Sequence, residues 1–235
     1  MKIEYLGTGA AEGFPAMFCN CEHCRRARTD LQREMRTRSQ AIVDGELLID
    51  FPPESYLHAM RGGFDFSAVS YLLVTHSHTD HFYAQELRFH TVHAFADFEA
   101  GEHRVLTLPA RHGNKEEALL YCVQKKDKTF LWLNDSGPLY DEIYPFLAEK
   151  GIVADLVSFD CTFADEKEPS SERHMNIFQN MQARDKMTEY RLVKADTKYY
   201  VTHFSHNSAP FREEMERMAE RYGFIAAHDG SVAEI

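Results

Sequence analysis

Short stretches in which apolar residues run together or alternate with polar ones, each closed by Gly, Asp or Pro, recur at 3–6, 41–44, 47–50, 70–75, 105–109, 130–134, 156–160, 199–202 and 224–227; they predict strands. A different period appears near the C-terminus. Phe211, Met215, Met218 and Tyr222 fall at i, i+4, i+7 and i+11, Pro210 sits in the first turn and Gly223 follows, which predicts a helix over about 209–222. Its Met and aromatic stripe reads as core packing. A second helix is expected over HMNIFQNMQARDKM, 174–187. Strands outnumber helices, with hairpins early and αβ units late. The expected class is therefore α/β (α+β), a sheet-rich sandwich rather than a doubly wound parallel sheet. No linker, repeat or low-complexity tract interrupts the chain, and the polar stretch 164–173 is short enough for a loop, so a single domain over 1–235 is expected.

The 235 residues, 44% hydrophobic and 27% charged, suffice for a buried core without disulfide staples. No apolar run approaches the roughly 20 residues of a membrane span, so no membrane partner is expected. The formal net charge of -11 opposes a broad nucleic-acid surface. Arg25, Arg26, Arg28, Arg33, Arg36 and Arg38 do cluster, but interleaved with Asp30 and Glu34 they read as a solvated helix face. The opening MKIEYLGTG has no signal-peptide character, and an odd number of cysteines suits a reducing compartment; the expected location is cytoplasmic.

What changes the picture is 13 histidines and 5 cysteines. The strand at 70–75 runs into Thr75-His76-Ser77-His78-Thr79-Asp80-His81. Residues two apart in extended chain share a face, so His76 and His78 can meet one ion, and a turn then lets Asp80 and His81 face a second. A polar loop of solvated imidazoles would crowd a buried strand end with groups needing partners. Cys19, Cys21 and Cys24 supply three thiolates within one tight turn, 19–24, a knuckle for a closed tetrahedral zinc that lacks its fourth ligand. Cys122 and Cys161 read as small buried hydrophobes.

THSHTDH resembles the signature of the metallo-β-lactamase superfamily, and the likeness extends over nearly the whole chain. It implies a four-layer αβ/βα sandwich with a dinuclear site at one edge. The opening GTGAAEGFPAMFCNCEHCRRAR resembles the glycine turn and cysteine cluster of one branch, the cyclic phosphodiesterases of carbon-phosphorus lyase pathways, which act on phosphoribosyl 1,2-cyclic phosphate. Ribonuclease Z is a more distant relative. The resemblance implies that His112 joins the first metal, that Asp135, in NDSGPL, bridges the two, and that His203 joins the second. The implied spheres are His76, His78, His112 and Asp135 for one ion and Asp80, His81, Asp135 and His203 for the other. Bland readings stand beside these: His112 as a turn residue and Asp135 as a helix cap. Asp160, another acid after an apolar strand, is a rival for the bridge, and His228 is an alternate ligand without a clear place. The same branch implies His206, three residues beyond His203, as the fourth ligand of the structural zinc, against the bland reading of free thiols and a solvated imidazole.

Two adjacent divalent ions lower the pKa of a shared water and neutralise charge on a phosphoryl oxygen. The branch also implies His174 as a general acid, so Asp80 and His174 are the residues expected to act in catalysis; a lone solvent-exposed histidine before a helix is the bland alternative. Phe82, Tyr83, Phe89, His90, His93 and Phe95 either shape the substrate pocket or pack as a helix on the sheet. The expected activity is metal-dependent hydrolysis of a small or cyclic phosphodiester, with two active-site ions, Zn or Mn with Fe also admitted, and one structural Zn. The alternatives are a ribonuclease Z-like RNA phosphodiesterase, a lactone or thioester hydrolase and, last, a non-enzymatic metal-binding module. A homodimer is compatible with all of them.

Overall fold

The protein is described by a computed structural model over residues 1–62, 65–83, 91–113, 117–169, 171–208 and 211–235. Phe89, His90 and Pro210, named above, lie outside the described residues. Among the described residues, twelve strands form two sheets. The first sheet holds β1 (Lys2–Gly7), β2 (Gln40–Val43), β3 (Leu47–Ile49), β4 (Tyr71–Leu73) and the C-terminal β12 (Val232–Glu234), in the order β12-β1-β2-β3-β4. The second holds β5 (Asp97–Ala100), β6 (His103–Pro109), β7 (Leu119–Lys125), β8 (Lys128–Leu133), β9 (Ala154–Asp160), β10 (Val193–Thr202) and β11 (Ile225–Ala226), in the order β11-β10-β9-β8-β7-β6-β5. Helices α1 (Glu22–Ala27), α2 (Leu31–Glu34), α3 (Ser55–Gly62), α4 (Ile143–Glu149), α5 (Ile177–Glu189) and α6 (Arg212–Arg221), with a single 3-10 turn over Phe66–Ala68, complete the elements of the described residues.

The period-two pattern decides which face goes where. Along β7 and β8, Leu119, Tyr121, Val123, Phe130 and Trp132 point between the sheets to meet Ile3, Tyr5, Val43 and Ile49 of the first sheet. Their neighbours Leu120, Cys122, Leu131 and Leu133 point the other way, onto Ile143 and Leu147 of α4, Ile177 and Met187 of α5, and Met215 and Met218 of α6. Each such side chain stabilises by roughly 1.5–3 kcal/mol relative to exposure, which binds sheet to sheet and sheet to helices. With α3 placing buried His58 and Ala59 beside the first sheet, the layers run helix, sheet, sheet, helices.

Three strands escaped the sequence pattern: Asp97–Ala100, Leu119–Lys125 and Val232–Glu234. The helix expected over about 209–222 is Arg212–Arg221; Gly223 at φ 77° ends it, with Phe224 N–H bonded to Ala219 O. The helix expected from residue 174 starts only at Ile177, where Asn176 and Gln179 form a capping box, so His174 stands in the preceding loop. The solvated arginine face holds for Arg25, Arg26, Arg28 and Arg33, which are exposed, and is corrected at Arg36 and Arg38. α1 and α2 are short, and Arg36 is buried with its guanidinium over Phe14 and Phe204. Arg28 donates to Ala16 O, and Arg38 pairs with Glu54. Cys122 and Cys161 are fully buried, as small hydrophobes are. Among the described residues, no helix is long and apolar enough to cross a membrane.

Candidate metal centre

Parallel pairing of β8 with β9 and of β9 with β10 sets their C-terminal ends side by side, and β6 runs in the same direction as β8 because two antiparallel steps separate them. In the first sheet β3 and β4 are parallel as well. The chain leaves these ends through Asp50, Thr75–His81, His112, Asp135, Asp160 and His203, so one edge of the sandwich collects the polar residues. Three of them, Asp50 (φ 63°), Asp135 (φ 56°) and His203 (φ 62°), adopt the left-handed conformation. Side-chain-bearing residues adopt it at a cost, and it turns each side chain sharply off its strand.

Asp135 lies at the middle. Its Oδ2 is 2.9 Å from His81 Nε2 and 3.3 Å from His76 Nε2; its Oδ1 is 3.2 Å from His112 Nδ1, 3.3 Å from His174 Nδ1 and 3.7 Å from His203 Nε2. His78 Nδ1 lies 2.9 Å from His76 Nε2, and Asp80 Oδ2 lies 3.3 Å from His81 Nε2. Arg111 N–H donates to Ser136 Oγ and Gly137 N–H to Arg111 O, which ties the His112 loop to the Asp135 turn. Gly137 is obligatory there, since a Cβ would sit 1.7 Å from Glu172 O, in the loop that carries His174.

Behind the rings stand two further carboxylates. Asp50 Oδ2 lies 2.7 Å from His81 Nδ1 while its Oδ1 accepts from the Thr75 N–H and hydroxyl. Asp160 Oδ1 accepts from the N–H groups of Thr162 and Met175, and its Oδ2 lies 3.0 Å from His174 Nδ1 and 3.2 Å from His203 Nδ1. Each of His81 and His203 is thus held through Nδ1 and turns Nε2 inward. His203 Nε2 and Asp135 Oδ1 are buried without a hydrogen-bonding partner, and His81 Nε2, equally buried, faces the Asp135 and Asp80 carboxylates. Burying such atoms unpaired is costly, and a cation between them removes the cost.

The electrostatics agree. Burial alone would raise the Asp135 carboxyl, but His203, His81 and His112 hold it well below the usual range. Burial would lower His203, yet Asp135 and Asp160 push it up to about 9, and His81 is likewise raised by Asp50 and Asp135. Burial, with His81 beside it, pushes His76 down to about 3. A divalent ion between His81 and His203 would supply the positive charge that the carboxylates here favour, in place of protons on the two rings.

No family model matches the sequence. Over 85 residues, 34% of this chain, it is 32% identical to an octanoyltransferase of Porphyromonas gingivalis, and this stretch spans about a sixth (16%) of that protein's length. The coordinates resemble a diphosphatase of the PhnP family at 22% identity and a TM-score of 0.74, covering 100% of this chain and 97% of that one. They resemble Zn²⁺-bound PqqB from Methylobacterium extorquens at 16% identity and a TM-score of 0.71, each chain covered fully. They resemble the metallo-β-lactamase fold protein YhfI from Bacillus subtilis at 15% identity and a TM-score of 0.70, with 100% and 99% coverage. The chain has the metallo-β-lactamase fold.

In this metallo-β-lactamase fold the residues singled out in the sequence fall into compact groups whose ligand atoms lie within 4.8 Å of one another: His76, His78 and His112; His76, His81 and Asp135; Asp135, Asp160, His174 and His203. Asp80 touches His81 but belongs to none of these groups. Asp160 sits behind His174 and His203, with five donors or rings against it, rather than between the two halves of the site, so Asp135 holds the central position. Asp135 does not cap α4, whose N-cap is Glu142. His228 lies apart, with Nδ1 3.0 Å from Asp229 O and no place in any ligand group among the described residues. Of the residues between 81 and 112, Phe82 bridges to Phe51, Phe95 packs on Phe146, and exposed His93 pairs with Glu117. Asp50 escaped the sequence reading as a site residue, although it is an acid closing the apolar strand 47–50.

The knuckle is a separate cluster of this metallo-β-lactamase fold. Cys19, Cys21, Cys24 and His206 bring their ligand atoms within 4.8 Å of one another. Cys21 precedes α1 and its Sγ accepts from Cys24 N–H, while Cys24 Sγ accepts from Ala16 N–H. Glu12 Oε1 lies 2.9 Å from His206 Nδ1 and accepts from the Ser205 hydroxyl, which fixes the imidazole. The hydrogen bond from the Cys24 backbone N–H and one with the Cys19 side chain lower the Cys21 thiol, whereas burial pushes Cys24 up to about 11. Three thiols and an imidazole form a donor set suited to tetrahedral zinc.

Proposed function

We propose that the protein is a metal-dependent hydrolase that cleaves a small or cyclic phosphodiester, with His76, His78, His112 and Asp135 holding one divalent ion and Asp80, His81, Asp135 and His203 the other. What carries the reading is the set of inward-facing atoms around Asp135: His203 Nε2 and Asp135 Oδ1, buried without hydrogen-bonding partners, and His81 Nε2 beside the Asp135 and Asp80 carboxylates. When bound, two such ions supply an activated water and neutralise charge on phosphoryl oxygens. The chain's own residues do the rest. Asp50 and Asp160 keep the rings of His81 and His203 turned inward, so the donors need no reorganisation.

His174 is the most open of the rings against Asp135, its side chain 21% exposed where His76, His81 and His203 are each 2% exposed. Asp160, held at about 2 by His174 and His203 despite its burial, is ionised and accepts from His174 Nδ1–H. That contact orients the ring and leaves Nε2 as the atom from which a departing alkoxide can take a proton. The likeness to a PhnP-family diphosphatase supports a phosphorus centre over a lactone or thioester, since it is a fold neighbour across the full chain. The knuckle, in this reading, holds one structural zinc through Cys19, Cys21, Cys24 and His206. The test is turnover of bis-p-nitrophenyl phosphate, a cyclic ribosyl phosphate, a lactone and a transfer-RNA precursor with Mn²⁺ or Zn²⁺. Cleavage of the first two supports the reading; exclusive cleavage of the lactone, or inactivity with two ions bound, overturns it.

A further inference from the structure

Behind Asp50 runs a chain of buried polar side chains that no part of the proposed reaction uses. Asp229, in the turn before β12, lies with Oδ1 2.6 Å from Thr8 Oγ1 and Oδ2 2.6 Å from Thr37 Oγ1, and Oδ2 also accepts from Thr37 N–H. Thr37 Oγ1 is 2.7 Å from His58 Nε2 on α3; His58 Nδ1 is 2.6 Å from Gln40 Oε1; Gln40 Nε2 donates to Asp50 O and to Ser55 Oγ. Thr37, Gln40, Ser55, His58 and Asp50 are all buried.

Proton accounting along this chain leaves little freedom. Ser55 spends its hydroxyl proton on Pro52 O at 2.6 Å, so towards Gln40 it can only accept. Asp50 O also only accepts. The Gln40 amide must therefore point its NH₂ at both, which turns its oxygen to His58 and requires a proton on His58 Nδ1. If the imidazole is neutral, Nε2 is a bare acceptor and takes the single Thr37 hydroxyl proton. The hydroxyl then has none left for Asp229, 2.6 Å away, and two acceptors at that distance would repel. The remaining neighbour of Thr37 Oγ1, Leu6 O at 3.5 Å, is too distant to compete.

We propose that Asp229 is a neutral carboxylic acid that donates through the Thr37 hydroxyl to His58, and that this relay, ending on the Asp50 carbonyl, positions His81. Thr8 donates to the Asp229 oxygen that carries no proton. The charges facing the relay favour its neutral form: burial raises Asp229 against the opposing pull of Thr37, Thr8 and Arg36, and burial with Arg61 nearby lowers His58 to about 4. The relay explains why Asp50 can hold a left-handed backbone at φ 63°, because Gln40 fixes its carbonyl while its carboxylate grips Thr75 and His81. Only the last step, from Asp50 to His81, rests on the reading of His81 as a metal ligand.

Nitrogen NMR of the imidazoles at pH 7 tests the relay in the unmodified protein. His58 should be neutral with its proton on Nδ1, and infrared difference spectra between wild type and Asp229→Asn should contain a protonated carboxyl band lost in the variant. A proton on Nε2, or absence of that band, overturns the relay. Positioning is read from the affinity of the centre for Mn²⁺, with the knuckle zinc as internal control. Thr37→Val should weaken Mn²⁺ binding about tenfold, as loss of an outer-shell partner does, and Thr37→Ser should restore it. Asp229→Asn, whose NH₂ towards Thr37 Oγ1 can no longer accept from Thr37 N–H, should weaken Mn²⁺ binding as Thr37→Val does, and covers the case in which Thr37→Val does not fold. Unchanged Mn²⁺ affinity in folded Thr37→Val or folded Asp229→Asn overturns the positioning role. A His58 tautomer as expected in a protein that cleaves no phosphodiester leaves the relay standing and overturns only the proposed activity.

Discussion

His203 Nδ1 lies 3.2 Å from Asp160 Oδ2, while the other nitrogen of the same ring is buried 3.7 Å from Asp135 Oδ1. The imidazole is a spacer between a carboxylate that orients it and the centre it faces. Asp160→Asn should leave the ring in place but remove the charge behind it, and the centre should bind Zn²⁺ roughly 10–100-fold more weakly in competition with a chelator. Wild-type affinity in the variant would show that Asp160 serves packing alone.

Asp135 is within 3.7 Å of five imidazoles, so its loss reaches every part of the centre. Asp135→Asn should strip at least one ion, read as the metal-to-protein ratio by plasma mass spectrometry. Two retained ions with full turnover would remove Asp135 from the middle of the site.

For His174→Ala the expected outcome depends on the leaving group. With an alkoxide leaving group, kcat should fall about 10²–10⁴-fold, because the departing oxygen needs a proton. With p-nitrophenolate, which leaves without one, the fall should be much smaller, and metal content should be unchanged for both. Equal losses on the two substrates would count against proton donation, and loss of metal would make His174 a ligand.

At the knuckle, protein unfolded in denaturant should release one zinc per chain that survives dialysis of the folded form, and Cys21→Ser should lack it. A Cys21→Ser protein with wild-type zinc would leave the thiols without that role.

Acid stability carries the signature of His58. Its folded value of about 4 lies below the ordinary imidazole value of 6.5, so the unfolded chain takes up the proton first. Stability is fully present above pH 6.5 and is lost as pH falls towards about 4, a difference worth about 3 kcal/mol. Asp229, raised in the fold, has the opposite sign, so His58→Gln measured beside wild type isolates the imidazole. Urea titrations at pH 7 and pH 4.5 should show a smaller loss for His58→Gln; equal losses would mean that His58 is already charged in the fold.

Much of the fold is legible in the sequence because β2, β3, β6, β8 and β9 write their burial as short apolar runs ended by turn residues. Leu119–Lys125 escaped although it is apolar, since Ala118 and its neighbours give no strong stop before it. Asp97–Ala100 and Val232–Glu234 are edge strands with exposed, polar positions, and they take their form from the strand beside them rather than from their own pattern. At the site, His76–His81 announces itself because six consecutive residues carry four donors. Asp50, Glu12 and Asp229 do not, because each is a single common residue whose meaning comes from partners such as Thr75, His206 and Thr8, 25 to 221 positions away. The start of α5 lies three residues later than the pattern at His174 suggests for a local reason: His174 and Met175 continue the helical pattern, but the Asn176 capping box starts the helix at Ile177.

The left-handed backbones of Asp50, Asp135 and His203 bear on the order in which the molecule is assembled. These conformations are imposed by strand ends and hydrogen bonds, so the donors of the centre converge once the two sheets have closed, before any ion is needed. Cys19 and Cys21, by contrast, are half-buried and exposed on a loop that leads into a six-residue helix, and a small cluster of Phe14, Ala16, Cys24, Ala27 and Phe211 with the Glu12–His206 contact is what holds their sulfurs near His206. Zinc supply during folding should therefore govern the yield of protein with an ordered N-terminal loop. An ion bound at the centre should exchange afterwards without unfolding.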